Sequence, residues 1–335
     1  MATWGDILNE LTASAQQRHG PPDFDAVRRK YLAALQQLTG RATLLYAANF
    51  LTPPPAGAES AITVNDEDMQ GFMHVVHGLQ GEQLDLIVHS PGGSAEATES
   101  IANYLRQKFT HLRVIVPHLA MSAATMLACA ADVVVMGRHS SLGPTDPQLL
   151  LPTPMGGMRM VPAQAIIAQF ERARRECSSD QGNFPVWAPI LPQYGPDLLE
   201  TCENICKLTA SLVKDWLARY MFAGHADAEA KAARLSGWLN EHRALLTHGR
   251  HLARGELVAH GMNVVELETP AEFQDAVLSV FHATTHTFNA TGTLKIIENH
   301  NGVAWCKAPA PRMVMQPMLG FPGQAAPMAL PPGPP

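Results

Sequence analysis

The chain has 335 residues, of which 46% are hydrophobic and 16% charged, with a formal net charge of −6. This composition is typical of a globular protein with a large core, in one large domain or two ordinary ones, and no basic cluster suggests nucleic acid as a partner. Five scattered cysteines and the lack of a signal-peptide pattern argue against a disulfide-stapled secreted domain, so we expect a soluble, cytoplasmic protein.

An N-terminal helical arm is predicted for residues 1–40. Apolar residues recur there at helical spacing on both sides of the Gly20-Pro21-Pro22 break, which is typical of two amphipathic helices. The arm has no evident place in a core sheet. We therefore expect its apolar faces to be buried against copies of the same chain.

From residue 42 onward, short apolar strands alternate with helices. The predicted strands lie at 42–47, 84–89, 114–116 and 132–136, and the predicted helices begin at Asn65 or Asp66, at Ser94 and at Ser122. This alternation predicts β-α-β units with right-handed crossovers in a mostly parallel sheet. Residues 114–131 are apolar enough to suggest a membrane span. A strand, a helix of small residues and a second strand explain them better, so we expect no span.

The second half of the chain is predicted to be largely helical. Residues 150–245 are predicted to form an all-helical insert, residues 263–267 one more strand, and residues 270–290 a long helix. Residues 308–335 are mostly Pro, Gly, Met and Ala with almost no charge. That composition predicts a disordered tail.

The first candidate for chemistry is the run His89-Ser-Pro-Gly-Gly-Ser94, which leaves a buried strand and enters a helix. Gly92 and Gly93 permit a tight turn and leave backbone N–H groups unobstructed at a helix N-terminus. An oxyanion hole requires such donors. A purely structural glycine-rich turn is the alternative.

Two further candidates follow the next strands. Ser122 begins a short helix between Ala120 and Ala124, small residues that permit the sharp turn on which hydrolases carry a nucleophile. A helix N-cap is the alternative role for this serine. Asp146 lies in a polar loop after the strand at 132–136, where a turn residue is the alternative. Because the three motifs close strands at one edge of a parallel sheet, we expect them to meet in one site.

Jointly, these motifs resemble a known family. Ser-Pro-Gly-Gly, followed about thirty residues later by small-x-Ser-small, is similar to the superfamily of Clp proteases and signal-peptide peptidases, which share their fold with crotonases. The run Leu142-Gly-Pro-Thr-Asp-Pro-Gln148 most resembles the branch called serine dehydrogenase proteinases. Residues 246–264 resemble the family's closing element. The resemblance covers roughly residues 42–268.

The resemblance implies a nucleophile at Ser122. It also implies oxyanion donors on the backbone N–H of Gly92, helped by Gly93, and on that of Ala123. It does not identify the base, because the chain has neither the histidine of Clp proteases nor the lysine of signal-peptide peptidases at the matching place. The candidates for the activating group are Asp146, His248, His139, Lys207 and Lys214.

Other titratable residues are expected to have structural roles. His282 and His286 have one-turn spacing but lack a third ligand, and Cys202 and Cys206 lack the rest of a ligand set. We therefore expect no metal and no other cofactor. Four histidines of the second half are expected mostly at a solvated surface, among them the base candidate His248: His242, His248, His251 and His260.

The predicted fold class is α/β, with a Clp/crotonase-like fold of repeated β-α-β units, a mostly parallel sheet and an all-helical insert. Its parts are the arm at 1–40, a catalytic domain at 41–268 with the insert at about 150–245, a helix and extension at 269–307, and the tail at 308–335.

The favoured function is a cytoplasmic serine peptidase that cleaves a peptide or protein substrate through an acyl-enzyme on Ser122. Two alternatives stay open. One is a crotonase-like enzyme that acts on an acyl thioester with Asp146 as acid or base, and the other is an inactive scaffold that retains the fold. We expect a homo-oligomer of at least three subunits with the site facing an enclosed space, an arrangement that the resemblance also implies.

Overall fold

The computed structural model describes residues 3–153, 156–190, 192 and 195–309. The predicted disordered tail therefore lies, from residue 310 onward, outside the described residues. The elements of the first half are α1 (Trp4–Arg18), α2 (Phe24–Thr39), β1 (Ala42–Ala48), α3 (Glu59–Ile62), α4 (Asp68–Val76), β2 (Gln83–His89), α5 (Ala95–Lys108), β3 (His111–Val116), β4 (Leu119–Ala120), α6 (Ala123–Cys129), β5 (Val133–Met136) and β6 (Ser141–Leu142).

The elements of the second half are β7 (Gln148–Pro152), β8 (Met158–Pro162), α7 (Ala163–Ser179), a 3₁₀ turn (Gln181–Asn183), α8 (Phe184–Trp187), α9 (Leu198–Trp216), a π-helical turn (Leu217–Met221), α10 (Ala228–Asn240), α11 (His242–Leu245), β9 (Leu252–Ala253), α12 (Arg254–Ala259), β10 (Val264–Glu266), α13 (Ala271–Ala290), β11 (Lys295–Asn299) and β12 (Ala304–Lys307). Within the described residues, none of these helices combines the length and the apolar character needed to traverse a bilayer.

A seven-stranded sheet in the order β10-β5-β3-β2-β1-β11-β12 forms the centre of the protein. The five strands from β10 to β1 are parallel, and β11 and β12 join the far edge as antiparallel strands. Consecutive parallel strands are joined by helices, so their carboxyl ends lie at one edge of the sheet. The predicted mostly parallel α/β architecture is confirmed.

Each face of the sheet is covered by its own set of helices. Leu86 and Val88 of β2 share an apolar cluster with buried residues of α4, α5 and α6, whereas Ile87 belongs to a cluster with α2 and α13. Side chains of a strand point alternately to the two faces, so a strand covered on both faces is apolar throughout. This double burial explains why β2 was easy to recognise in the sequence.

The arm at residues 1–40 has a place within the protein's own core, contrary to the expectation from its sequence. Leu32 and Leu35 of α2 are fully buried against the sheet and α13, and Ile7 and Leu11 of α1 are buried with Ala283 of α13. The arm is therefore part of the folded body. The homo-oligomer stays a prediction. The apolar faces of residues 1–40 no longer support it, because they are buried within the same chain.

Two strand pairs were missed in the sequence. The hairpin β7–β8 opens the insert that was predicted to be all-helical, and β11–β12 extend the sheet after α13. The pattern of β11 is hidden by Lys295 and Glu298, which are fully buried in ion pairs with Asp68 and with Arg28. In a sequence, charged residues within an apolar run indicate a solvent-exposed segment, because the distant residues that neutralise them in the fold cannot be recognised.

The helix after β1 begins later than predicted. Asn65 and Asp66 were expected to cap it, but α4 starts at Asp68. Asn65 instead accepts a hydrogen bond from the backbone N–H of Glu67 through its side-chain oxygen at 3.1 Å. Such a bond is typical of a turn and precedes the helix.

Candidate active site

Ser122 lies on a strained turn between β4 and α6. Its φ of 53° and ψ of −119° lie outside the regions that non-glycine residues favour. The residue occupies the N-cap position of α6, but its side chain makes no capping hydrogen bond. The hydroxyl is therefore available for chemistry, and strain of this kind is typical of nucleophile turns.

Backbone hydrogen bonds hold the serine turn against the end of β2. The N–H of Met121 donates to the Ser90 carbonyl at 2.9 Å, and the N–H of Ser90 donates to the Leu119 carbonyl at 3.1 Å. Thr125 adds a side-chain link, since its hydroxyl donates to the Ala120 carbonyl at 2.8 Å. The turn is thus fixed by the neighbouring strand and by its own helix.

The two glycines of the first motif are required by close backbone contacts. A Cβ on Gly92 would lie 2.5 Å from the Met121 carbonyl oxygen and 2.7 Å from the Cβ of Ser122. A Cβ on Gly93 would lie 2.3 Å from the Val64 carbonyl oxygen. Gly92 therefore packs directly onto the serine turn and Gly93 onto Val64, and a side chain at either position would displace these neighbours.

Two backbone N–H groups beside Ser122 remain free to bind an anion. Gly92 was expected to be the main donor, but its N–H already donates to the Ser90 hydroxyl at 3.2 Å. The N–H groups of Gly93 and Ala123 donate to no acceptor among the described residues. This geometry favours Gly93 over Gly92 as the partner of Ala123 in an oxyanion hole.

Asp146 and His248, which the sequence proposed as separate candidates for the base, are hydrogen-bonded to each other. The Nδ1 of His248 lies 2.7 Å from Oδ1 of Asp146, whose side chain is 1% exposed. A carboxylate only accepts, so Nδ1 donates and Nε2 keeps its lone pair. This is the tautomer that a general base requires.

Ser122 and His248 line the same cleft, which has a volume of about 450 Å³ and also includes Gly92, Gly93 and Ala123. No hydrogen bond joins Ser122 to His248 in the described part of the chain. Catalytic hydrogen bonds are often long in an unliganded enzyme and shorten when substrate binds. The cleft therefore brings together every site residue that was predicted for the nucleophile and the oxyanion hole.

A second histidine contacts the same carboxylate. Nδ1 of His242 lies 2.9 Å from Oδ2 of Asp146, and the side-chain amide of Gln148 donates to that oxygen at 3.0 Å. His242 was expected at a solvated surface, but its side chain is only 18% exposed. Local sequence carries no signal for this contact, because Asp146 is 96 residues away.

The other candidates for the base lie elsewhere. Lys207 forms an ion pair with Glu203 on the outer face of α9 with its side chain 70% exposed, and Lys214 pairs with Glu229. His139 is exposed near β5 and does not line the cleft. His248 is thus the candidate that the cleft contains.

The thiols and histidines that were considered as metal ligands have other surroundings. Burial raises the pKa of the Cys206 thiol to about 11, so this side chain is neutral near pH 7. His286 is hydrogen-bonded to the Trp4 carbonyl at 3.0 Å. Across the described residues, no group of three or more His, Cys, Asp or Glu side chains is arranged to hold a metal ion.

The remaining walls of the cleft are mostly apolar. They come from α6, from the hairpin β7–β8 and from α9, and they comprise Met126, Leu149, Met160, Ile205 and Leu208. One polar exception is Thr145, whose hydroxyl is buried at the cleft without a hydrogen-bond partner among the described residues. A buried hydroxyl of this kind is stabilised when it gains a partner.

A strained serine, a histidine oriented by a buried aspartate and two free N–H groups at the edge of a parallel sheet form the combination that serine hydrolases use. Residues 62–183 match the family described as ClpP-like SDH-type serine proteinase. These residues, about a third of the chain, include Ser122 and Asp146 but not His248. Over this segment the chain is similar to the Clp-fold serine proteinases of the SDH type.

Two curated relatives come from Methanocaldococcus jannaschii, and both are uncharacterized proteins. MJ0137 is 35% identical over 116 residues, which are 34% of this chain and 37% of that protein. MJ1495 is 46% identical over 66 residues, which are 20% of this chain and 23% of that protein. The match spans less than half the length of either relative.

Solved structures with lower similarity include two proteases. The 1510-N membrane-bound stomatin-specific protease matches with 14% identity and a TM-score of 0.39, over 64% of this chain and 79% of that one. ClpP1 from Listeria monocytogenes matches with 13% identity and a TM-score of 0.33, over 72% of this chain and 99% of that one.

Proposed function

We propose that the protein is a serine peptidase in which Ser122 attacks a peptide carbonyl and forms an acyl-enzyme. The observation that carries this proposal is the hydrogen bond from His248 to the buried carboxylate of Asp146 at 2.7 Å, in the cleft that contains Ser122. A serine without a base is a weak nucleophile, and this pair supplies the base.

The proposed reaction has two halves, acylation and deacylation, and the same catalytic groups act in both. Nε2 of His248 takes the proton from Oγ of Ser122 as Oγ bonds to the carbonyl carbon, and Asp146 stabilises the imidazolium. The N–H groups of Gly93 and Ala123 bind the oxyanion. The imidazolium then gives its proton to the leaving amine as the C–N bond breaks. Water, activated by the same imidazole, hydrolyses the acyl-enzyme and returns Ser122 to its starting state.

The apolar walls of the cleft support a substrate segment with apolar side chains. Burial of an aliphatic side chain contributes roughly 1.5–3 kcal/mol, which suffices to orient an extended peptide. The unpartnered hydroxyl of Thr145 provides one polar contact in this surface. We propose that it bonds a backbone group of the substrate, because a backbone contact does not depend on the side chains of the substrate.

The two alternative functions lack comparable support. A crotonase-like reaction would use Asp146 as acid or base, but its oxygens are hydrogen-bonded to His248, His242 and Gln148. An inactive scaffold would have no need of a histidine in the tautomer of a base. The serine-peptidase reading accounts for both observations.

Labelling with a fluorophosphonate, combined with hydrolysis of unfolded protein, tests the proposal. We expect covalent labelling at Ser122, and Ser122→Ala should abolish labelling and hydrolysis while the circular dichroism spectrum is retained. Ser94→Ala is the matched control, because Ser94 lines the same cleft but caps α5 through Ala97. This control should lose about 0.5–2 kcal/mol of stability and keep its labelling. Unchanged hydrolysis by Ser122→Ala would overturn the proposal.

A further inference from the structure

One carboxylate in this protein holds two imidazoles. Asp146 accepts from Nδ1 of His248 through Oδ1 and from Nδ1 of His242 through Oδ2, at 2.7 Å and 2.9 Å. The proposed reaction needs only one of these histidines. His242 makes a hydrogen bond of similar length, although it takes no part in the proposed reaction.

The two imidazoles face different clefts. His248 lines the cleft of Ser122, whereas His242 lines a neighbouring cleft of about 450 Å³ together with Gln164 and Trp187. Asp146 therefore stands between a catalytic histidine on one side and a histidine outside the catalytic cleft on the other. His242 does not line the cleft of Ser122, yet it contacts the carboxylate that orients His248.

Backbone contacts fix the position of His242. Its N–H donates to the side-chain oxygen of Gln164 at 3.0 Å, and the Gln164 amide donates to the Asn240 carbonyl at 2.6 Å. Gln164 thus ties the start of α11 to α7. These hydrogen bonds hold the backbone of His242 in place, so that its imidazole can fix the orientation of Asp146.

We propose that His242 positions Asp146 for catalysis and that a proton on His242 switches the catalytic histidine off. This inference rests on the proposed serine-peptidase function. A neutral His242 donates one hydrogen bond and leaves the carboxylate charge available to the imidazolium that forms on His248. A protonated His242 neutralises that charge, so the imidazolium of His248 is no longer stabilised.

Other charged and titratable groups surround His242 and its hydrogen-bond partners. The groups that face it or its neighbours come from α11 and its N-cap, from α7, from α9 and from the loop after α11: Arg243 and Glu241, Arg172 and Arg175, Cys206, and His248. Glu241 caps α11 and Arg172 is paired with Glu176. Arg175 and Arg243 line the same cleft as His242.

Two imidazoles on one carboxylate bind protons as a coupled pair. Because the active form requires both to be neutral, the acid limb of log(kcat/KM) against pH should approach a slope of 2. A single catalytic histidine would give a slope of 1. The two cases differ about tenfold in rate for each further pH unit on the acid side.

Two substitutions separate positioning from protonation. His242→Ala removes the hydrogen bond, and we expect kcat at pH 8 to fall by about tenfold with KM nearly constant. His242→Gln keeps a donor for Oδ2 but cannot titrate, so it should recover most of kcat and reduce the acid-limb slope to 1. A wild-type slope of 1 that His242→Gln leaves unchanged would overturn the proposal.

A second measurement does not depend on activity. Imidazole ¹⁵N resonances of the Ser122→Ala protein should show Nδ1–H on both histidines, and His242→Gln in that background should shift the titration of His248 to higher pH. An unchanged titration of His248 would refute the coupling whatever the kinetics show. Coupled titration together with Ser122-independent hydrolysis would instead refute the peptidase function and leave the pair intact.

Discussion

The nucleophile and the base of this site are held by two different kinds of contact. Ser122 is fixed by backbone hydrogen bonds to β2 and by glycines whose surroundings leave no space for a Cβ. His248 lies in a mostly exposed segment after α11, and its side-chain hydrogen bond is to Asp146. One half of the site is built by close packing of the main chain, and the other by side-chain hydrogen bonds to one carboxylate.

This difference predicts two kinds of mutational effect. In the nucleophile half, stability and activity depend on the same contacts, so a substitution should reduce both. In the base half, a partly exposed side chain contributes little to the core. Substitution of His248 should therefore reduce activity and leave the free energy of unfolding nearly unchanged, whereas substitution of the buried Asp146 should affect both.

The largest expected effect is in the base half. His248→Ala should reduce kcat by about a thousandfold or more, since it removes the imidazole of the cleft, and Glu96, a carboxyl group that also lines it, is bonded to the Ser94 hydroxyl. Its melting temperature should stay within a few degrees of the wild type. Lys207→Ala is the control, because Lys207 pairs with Glu203 away from the cleft. Loss of activity in Lys207→Ala but not in His248→Ala would assign the base to the insert.

Asp146→Asn should come next, with a loss of about 10²- to 10⁴-fold in kcat and little change in KM. An asparagine cannot stabilise the imidazolium, and its amide group can favour the wrong tautomer of His248. Because Asp146 is buried and accepts three hydrogen bonds, some stability is lost as well. An unchanged rate with a lower melting temperature would mean that Asp146 only fixes its turn.

Gly92→Ala tests the nucleophile half. The new Cβ would displace the Ser122 turn, and we expect kcat to fall by about a hundredfold together with several kcal/mol of stability. Gly237→Ala is the matched control, since a Cβ there meets no atom within 4 Å. In that helix an alanine should add about 0.5–1 kcal/mol of stability. A Gly92→Ala protein with the melting temperature of the wild type but reduced activity would contradict the prediction that stability and activity fall together in the nucleophile half.

The smallest effect concerns stability alone, at His89 just before the glycine turn. Burial, followed by the charge of His118, lowers the pKa of His89 to about 3, so the folded protein keeps it neutral. The unfolded chain takes up the proton below pH about 6.5, and this difference destabilises the fold by about 1.4 kcal/mol per pH unit between pH 6.5 and 3.

His89→Leu should therefore lose less stability than the wild type between pH 7.5 and pH 5, by about 2 kcal/mol. Chemical denaturation at the two pH values measures this difference. His77→Leu is the control, because His77 is exposed. An equal acid sensitivity in the wild type and in His89→Leu would show that His89 does not contribute to it.

The same comparison explains which parts of the site the sequence could reveal. The nucleophile half is encoded by local patterns, because small residues around Ser122 and two adjacent glycines are needed where main chains touch. The base half depends on contacts over 96 and 102 residues, which leave no local pattern. His248 was therefore one candidate among several, and His242 was missed.

The fold shows a similar division. Parallel strands that are covered on both faces are apolar throughout, so β1, β2, β3 and β5 were predicted within a few residues. The strand β11 was not, because Lys295 and Glu298 are buried by pairing with residues more than 200 positions away. Pairing of that range can only be recognised in three dimensions.

The helices α2 and α13 together cover one face of the sheet, although they lie near opposite ends of the described chain. A recombinant fragment limited to residues 62–183, the part that is similar to the family, would lack both helices and the strands β1, β10 and β11. It would expose Ile87, Ile115 and Val135 to water and leave the edge of β2 unpaired. We therefore expect this segment not to fold on its own, and a recombinant form of this protein should keep residues 4–307.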